Sequence, residues 1–239
     1  MYSPYGLDVS DSCLECKIRS AGYFCNFDPD LVKAFDSLKY ATVFPRGALL
    51  FVEGQSPRGV FMICSGRVKL TTCSVDGKAL ITRIAEGGEV LGLSSAVSGR
   101  SYMVTAETLV PCQVNFIRRD DFLKFLKDNG DACLRAAEHL SNNYNNSFDQ
   151  ARSLGLSHSA SEKLAKLMLE WCEKDGKETT VGIGLTQTLT HEEIAQLIGA
   201  SRETVTRLLA EFKRKQLITI KGSTLIIRDK ARLLEMVTS

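Results

Sequence analysis

The sequence predicts an α+β chain: an N-terminal β-roll of the jelly-roll kind, a long dimerisation helix, and a C-terminal winged helix-turn-helix. Three observations predict it. Short β-rich runs separated by glycine turns fill residues 40–117, the pattern of a sandwich or jelly roll. Apolar and small residues then recur at alternating steps of four and three from Cys133 to Leu154, the seam of a coiled coil. Finally, residues 190–209 read as two short helices joined at Gly199, the second exposing charge.

Composition sets the outer bounds. A chain of 239 residues is long enough for two cores. Its 44% hydrophobic and 24% charged residues describe an ordinary soluble protein, and no apolar run approaches the roughly 20 residues of a membrane span. Met1-Tyr2-Ser3-Pro4-Tyr5 lacks the basic start and apolar stretch of an export peptide. A cytoplasmic protein with no membrane partner is expected. The net charge of +2 is too small to argue for nucleic acid, but Arg202, Arg207, Lys213, Arg214, Lys215 and Lys221 gather near the C-terminus.

The β-region contains Ala48–Val52, Val60–Cys64, Val68–Thr72 and Ala79–Ile84 as strand-like runs. Between them stand Pro45-Arg46-Gly47, Glu53-Gly54, Ser65-Gly66-Arg67, Asp76-Gly77 and Glu86-Gly87-Gly88 as turns. In the helix that follows, the seam is Cys133, Ala137, Leu140, Tyr144, Ser147, Ala151 and Leu154. Its small residues would let two helices approach closely. A homodimer is expected in preference to a helix packed only on its own β-domain, because two-fold symmetry also supplies two DNA half-sites. Gly155-Leu156-Ser157-His158 reads as a hinge, and a further helix from Ser159 to about Glu173 places Trp171 in the core.

In the last segment, Thr190 with Glu193 makes a capping box, and Gly199 can take the backbone angle that ends the first helix. Ser201 caps the second. At roughly 100° per residue, Val205, Leu208, Leu209 and Phe212 share one face of that helix, and Arg202, Glu203, Thr206, Arg207 and Ala210 share the other. The apolar face can dock while the polar face enters a groove of double-stranded DNA. Arginine can give two hydrogen bonds to guanine, and a carboxylate accepts from the cytosine amino group. A carboxylate among phosphates is electrostatically unfavourable, so Glu203 between two arginines is better explained by base reading than by an amphipathic surface helix of mixed charge. Leu217–Ile220 and Thr224–Ile227, flanking Lys221-Gly222-Ser223, form a hairpin pattern for a wing. The candidate DNA-binding residues are Thr190, Ser201, Arg202, Glu203, Thr206, Arg207 and Lys221.

Ser201-Arg202-Glu203-Thr204-Val205-Thr206-Arg207 resembles the reading helix of the CRP/FNR family of bacterial transcription regulators, with its arginine four residues after the glutamate. Phe44-Pro45-Arg46-Gly47 and Cys64-Ser65-Gly66-Arg67-Val68 look like the family's cyclic-nucleotide-binding-like roll. The resemblance runs from about Phe35 to the end. It implies a homodimeric regulator on a palindromic operator, with RNA polymerase as a partner. Members that bind cyclic nucleotide hold the ribose through a Gly-Glu pair and the phosphate through Arg-Ser or Arg-Thr. Here Leu91-Gly92-Leu93 lacks that carboxylate, and Gly92 and Arg100 are eight steps apart, which is short for the pocket. Cyclic nucleotide is therefore not expected. Arg100 and Ser101 are candidates for a small acidic effector or for solvated loop residues, and the signal is unidentified.

Eight cysteines in a cytosolic chain should be reduced. Cys64, Cys73, Cys133 and Cys172 occupy strand or helix positions and are expected to be buried. Cys13, Cys16 and Cys25 lie in the first thirty residues, outside the β-pattern. The oxygen-sensing branch of the resembled family holds an iron-sulfur cluster with an N-terminal cysteine group plus one cysteine of the roll. Cys112, after Glu107-Thr108-Leu109-Val110-Pro111, is the fourth candidate on that resemblance. Eight residues separate Cys16 from Cys25 where the oxygen sensors have fewer, so zinc, thiol redox sensing and cysteines without a sensory role stay open. His139, His158 and His191 are too scattered to suggest a metal cluster. An enzyme carrying a DNA-binding tail finds no support: no phosphate-cradling glycine loop, His-Glu metal pair or nucleophile-base set occurs. The expected division is a cysteine-containing segment at 1–30, a β-roll sensor domain at 31–128, a dimerisation helix and hinge at 129–156, and the DNA-binding domain at 157–239.

Overall fold

A computed structural model describes residues 4–7, 9–10, 12–16, 22–156, 159–186, 189–221 and 224–238. Contacts divide the chain into a compact unit of residues 1–147 and a second of 148–239. No helix among the described residues is long and apolar enough to cross a membrane.

The first unit opens with a single 3-10 turn at Pro4–Gly6 and then α1 (Pro29–Asp36). Strands β1 (Tyr40–Phe44), β2 (Leu49–Phe51), β3 (Gly59–Ser65), β4 (Arg67–Cys73), β5 (Ala79–Glu86) and β6 (Val90–Leu91) lead to α2 (Leu93–Ser98). After β7 (Thr105–Thr108) and β8 (Cys112–Arg118) come α3 (Arg119–Asp128) and α4 (Gly130–Leu156). The strands form two antiparallel sheets, ordered β1-β8-β3-β6 and β2-β7-β4-β5. The strand-like runs of the sequence appear as β2 to β5, with ends moved by one or two residues.

Alternation along the first sheet separates two cores. Phe61, Ile63, Cys112 and Val114 face Leu50, Val68 and Ala106 in one of them. Val60, Met62 and Ile117 face the other, which also contains Val32 and Phe35 of α1 and Phe122 and Phe125 of α3. Cys13, Phe24, Cys25 and Phe27 are buried in that second core. The first thirty residues, expected to form a segment of their own, therefore belong in part to the sensor domain. Phe24 packs against Phe27, Phe35 and Phe122, with ring centroids 5.9, 5.9 and 5.6 Å away.

Helix α4 has two faces. Ala132, Ala136 and His139 are buried, and His139 Nε2 lies 2.8 Å from the Val90 carbonyl oxygen. About a quarter turn away lies the expected seam, where Cys133, Ala137, Tyr144, Ser147 and Ala151 are exposed. Leu140 is half-buried against the core of its own unit, so it is a mixed seam position. Exposed Leu134 and Phe148 extend the apolar stripe. The side chain of Leu154 lies outside the described residues. Gly155 and Leu156, expected in the hinge, are the last residues of α4; Ser157 and His158 lie outside the described residues.

The second unit contains α5 (Ala160–Asp175), β9 (Lys177–Thr179), β10 (Gly182–Thr186), α6 (His191–Ile198) and α7 (Arg202–Arg214). It closes with β11 (Ile218–Lys221), β12 (Thr224–Ile227) and α8 (Lys230–Thr238). The expected hairpin is β11–β12, but it belongs to a four-stranded sheet ordered β11-β12-β10-β9. Trp171 is half-buried rather than a core residue; Leu164, Ala165 and Met168 fill that side of α5.

Candidate nucleic-acid interface

The pair α6–α7 is built from local contacts. The Thr190 backbone N–H donates to Glu193 Oε2 at 2.8 Å, and the Glu193 N–H donates to Thr190 Oγ1 at 3.2 Å. These bonds are the expected capping box. Gly199 ends α6 at φ 67°, in the left-handed region, and Ser201 Oγ accepts the Thr204 N–H at 3.2 Å to begin α7. Val205, Leu208, Leu209 and Phe212 are buried, whereas Arg202, Glu203, Thr206, Arg207 and Ala210 are exposed. Both faces match the helical reading. Replacing Thr190 by alanine is expected to cost about 1 kcal/mol, read as a lower denaturation midpoint of the C-terminal unit with unchanged slope; no change would mean that the cap adds nothing to stability.

The exposed face is partly ordered. The Thr206 hydroxyl donates to the Arg202 carbonyl oxygen at 2.9 Å. Having one proton, it accepts from His191 Nδ1, also 2.9 Å away. The backbone N–H of Glu203 itself and the Ser201 hydroxyl hold the Glu203 carboxyl below the usual carboxylate range, so this group is ionised at neutral pH. Lys221 is the last residue of β11, paired with Thr224; its side chain and Gly222-Ser223 lie outside the described residues.

In the first unit, Arg100 and Ser101 are exposed on the connection that follows α2. The Arg100 N–H donates to Ser98 Oγ and the Ser101 carbonyl oxygen accepts from Ser95 Oγ. An open groove on this unit is lined by Tyr40, Phe44, Arg58, Arg118 and Arg119 among others, not by Arg100 or Ser101.

The cysteines are arranged differently from expectation. Cys73 and Cys133 are exposed and Cys64 is half-buried; of the four expected inside, only Cys172 is fully buried. Cys13 and Cys25 are buried and Cys16 is half-buried. Lys39 Nζ donates to Cys13 Sγ at 3.5 Å, and Asn115 Nδ2 approaches it at 3.9 Å. Cys25 Sγ lies 3.6 Å from Met62 Sδ. Burial, with a smaller contribution from the Asp36 side chain, pushes the Cys13 thiol up to about 12. Among the described residues, no three His, Cys, Asp or Glu side chains already stand together at metal-holding distance.

Comparison with known proteins supplies the family. Residues 162–236 match the Crp-like helix-turn-helix domain, and residues 41–129 match the cyclic nucleotide-binding domain. The chain is 29% identical over 220 residues to a CRP-like cAMP-activated global transcriptional regulator of Mycobacterium tuberculosis, covering 90% of this chain and 96% of that one. The chain is a CRP/FNR-family transcription regulator. It is also 27% identical over 202 residues to the anaerobic regulatory protein of Bacillus subtilis, covering 84% of each. The solved c-di-GMP responsive regulator CLP of Xanthomonas campestris has the same fold at a TM-score of 0.74, with 18% identity over 84% of this chain and 99% of that one. The matched families and relatives are regulators rather than enzymes.

For this CRP/FNR regulator the iron-sulfur set Cys13, Cys16, Cys25 and Cys112 does not fit. Cys112 is in the inter-sheet core, its thiol 3.1 Å from the Val110 carbonyl oxygen and 3.4 Å from that of Arg67. Cys13 and Cys25 lie in the opposite core. One residue of alternation along β8 separates Cys112 from Gln113 and Asn115, and a side chain cannot change faces without a register slip.

Proposed function

We propose that this regulator acts in the cytoplasm as a homodimer on a palindromic operator. The α7 helix of each protomer lies in the major groove of one half-site. Arg202, Glu203, Thr206 and Arg207 read base edges, Thr190 and Ser201 set the helices against the phosphates, and Lys221 of the wing adds a backbone contact. The seam of α4 joins the protomers, and an unidentified signal at the sensor domain shifts the spacing of the two reading helices. Contact with RNA polymerase is carried over from the family. The observation that supports this reading is the capped pair α6–α7, in which the buried residues of α7 are all apolar and its exposed face carries two arginines and an ionised glutamate.

By family resemblance the half-site is expected to resemble TGTGA, with its inverted copy about two helical turns away. Arg207→Ala should weaken binding to that site by about 1 to 3 kcal/mol and relax preference at one base pair. Lys221→Ala should weaken binding to every sequence alike. Selection on random DNA with each variant decides between them: unchanged base preference in both Arg207→Ala and Arg202→Ala would mean that these arginines touch only phosphate.

A further inference from the structure

The open groove of the first unit lies where its two sheets end. β1 is an edge strand of one sheet and β2 of the other, and both contribute to the groove's walls. Tyr40 of β1 is 56% exposed and Leu49 of β2 54%. The floor is aromatic. Tyr40, Phe116 and Phe61 stand in one cross-strand row, the last two with ring centroids 5.0 Å apart. Phe116 also lies against Gly59, where a Cβ would come within 2.6 Å of its ring, so a side chain there would push the ring out of the floor. The groove measures about 1000 Å³, room for a small organic molecule.

One part of the groove is cationic. Arg118 is two residues beyond Phe116, which returns it to the same face of β8, and it pairs across strands with Gly59, next to Arg58. The Arg119 N–H donates to the Arg58 carbonyl oxygen at 2.9 Å, so backbone pairing brings three arginines to one place. Arg119 is held further: its Nε donates to the Ala96 carbonyl oxygen at 2.8 Å, and its Nη1 stands 4.0 Å from Asp120 Oδ1. Arg58 and Arg118 are exposed, and among the described residues neither guanidinium has a hydrogen bond or an ion pair. Asp120 and Asp121 also line the groove and offset only two of the three charges.

A flat apolar floor beside unpaired guanidiniums selects an anion with a flat apolar body. A guanidinium gives a carboxylate two parallel hydrogen bonds, and aromatic rings pack offset or edge-on against Tyr and Phe. The side chains of Phe44, Leu49, Leu50, Phe61 and Phe116 offer carbon atoms alone, with no partner for the ring nitrogens or sugar hydroxyls of a nucleotide. We propose that the groove between β1 and β2 binds an aromatic carboxylate as the signal of the sensor domain, its ring on Tyr40 and Phe116 and its carboxylate on Arg58 and Arg118. The proposal rests on the reading of this unit as a sensor, and it puts the ligand in a groove that Arg100 and Ser101 do not line.

Calorimetric titration of the full-length chain with 2-naphthoate tests the site. One saturable binding event per chain is expected, weakened about tenfold or more in Arg58→Ala and in Arg118→Ala. Both arginines are exposed, so their removal leaves the core intact. Binding should be absent with 2-naphthylmethanol, which keeps the ring and lacks the charge, and Arg100→Ala should bind the acid like the parent. Saturating 2-naphthoate should change the parent's operator affinity about fivefold or more, and should leave that of the double variant Arg58→Ala, Arg118→Ala unchanged. The site assignment fails if 2-naphthoate does not bind, if 2-naphthylmethanol or adenosine monophosphate binds as well as the acid, or if Arg100→Ala loses binding while the groove variants keep it. Binding that leaves operator affinity unchanged would overturn its role as the signal. A parent that binds no operator at all would overturn the regulator reading instead, and the calorimetry would still judge the groove.

Discussion

The double substitution Tyr144→Lys, Phe148→Lys is expected to yield monomers that bind a palindromic operator about a hundredfold or more weaker than the parent. Both rings are exposed on α4, at 71% and 61%, so their replacement leaves the core of the protomer untouched. In a dimer they would meet the same stripe of the partner, where burying an aromatic side chain contributes about 2 kcal/mol each at roughly 25 cal/mol per Å². Lysines there also bring like charges together across the two-fold axis. Leu140→Lys is a less clean probe, because Leu140 also packs on its own unit's core. Sedimentation equilibrium at fixed salt reads the association, and titration of operator DNA reads the consequence. A variant that remains dimeric and binds normally would place the protomer interface elsewhere.

Phe24→Ala should lower the stability of the sensor domain by about 3 to 5 kcal/mol, the usual range for deleting a buried phenyl ring. Phe24 is fully buried and ties the N-terminal segment to α1 and α3 through three neighbouring rings. The cavity left behind cannot collapse easily, since Phe35 and Phe122 are held by their own helices. Calorimetry of the full-length chain at one protein concentration should show the sensor transition at a lower temperature, with the C-terminal transition unmoved. A loss under about 1 kcal/mol would mean that residues 22–28 lie on the domain without helping to build it.

The C-terminal reader was legible because its signals are local. The Thr190–Glu193 box, the left-handed Gly199, the Ser201 cap and the two faces of α7 all depend on residues within about one helical turn of each other. The order of roll, long helix and winged helix-turn-helix followed from hydrophobic periods of two, three-and-a-half and 3.6 residues. Strands β9 and β10 escaped notice because Lys177–Thr180 is wholly polar and the alternation of Val181, Ile183 and Leu185 is interrupted by Gly182 and Gly184, which read as loop residues. β10 is fixed by pairing with β12, which lies about forty residues further along the chain, and β9 then pairs with β10. The same limit governed the cysteines. From sequence alone, Cys64 and Cys112 are both single thiols in β-rich runs, and family resemblance favoured Cys112. The register of β3 against β8 decides otherwise, placing Cys112 in the inter-sheet core while Cys13 and Cys25 lie in the other. Hydrogen bonds between strands distant in sequence set that register, and a shift of one residue would reverse every side chain's face.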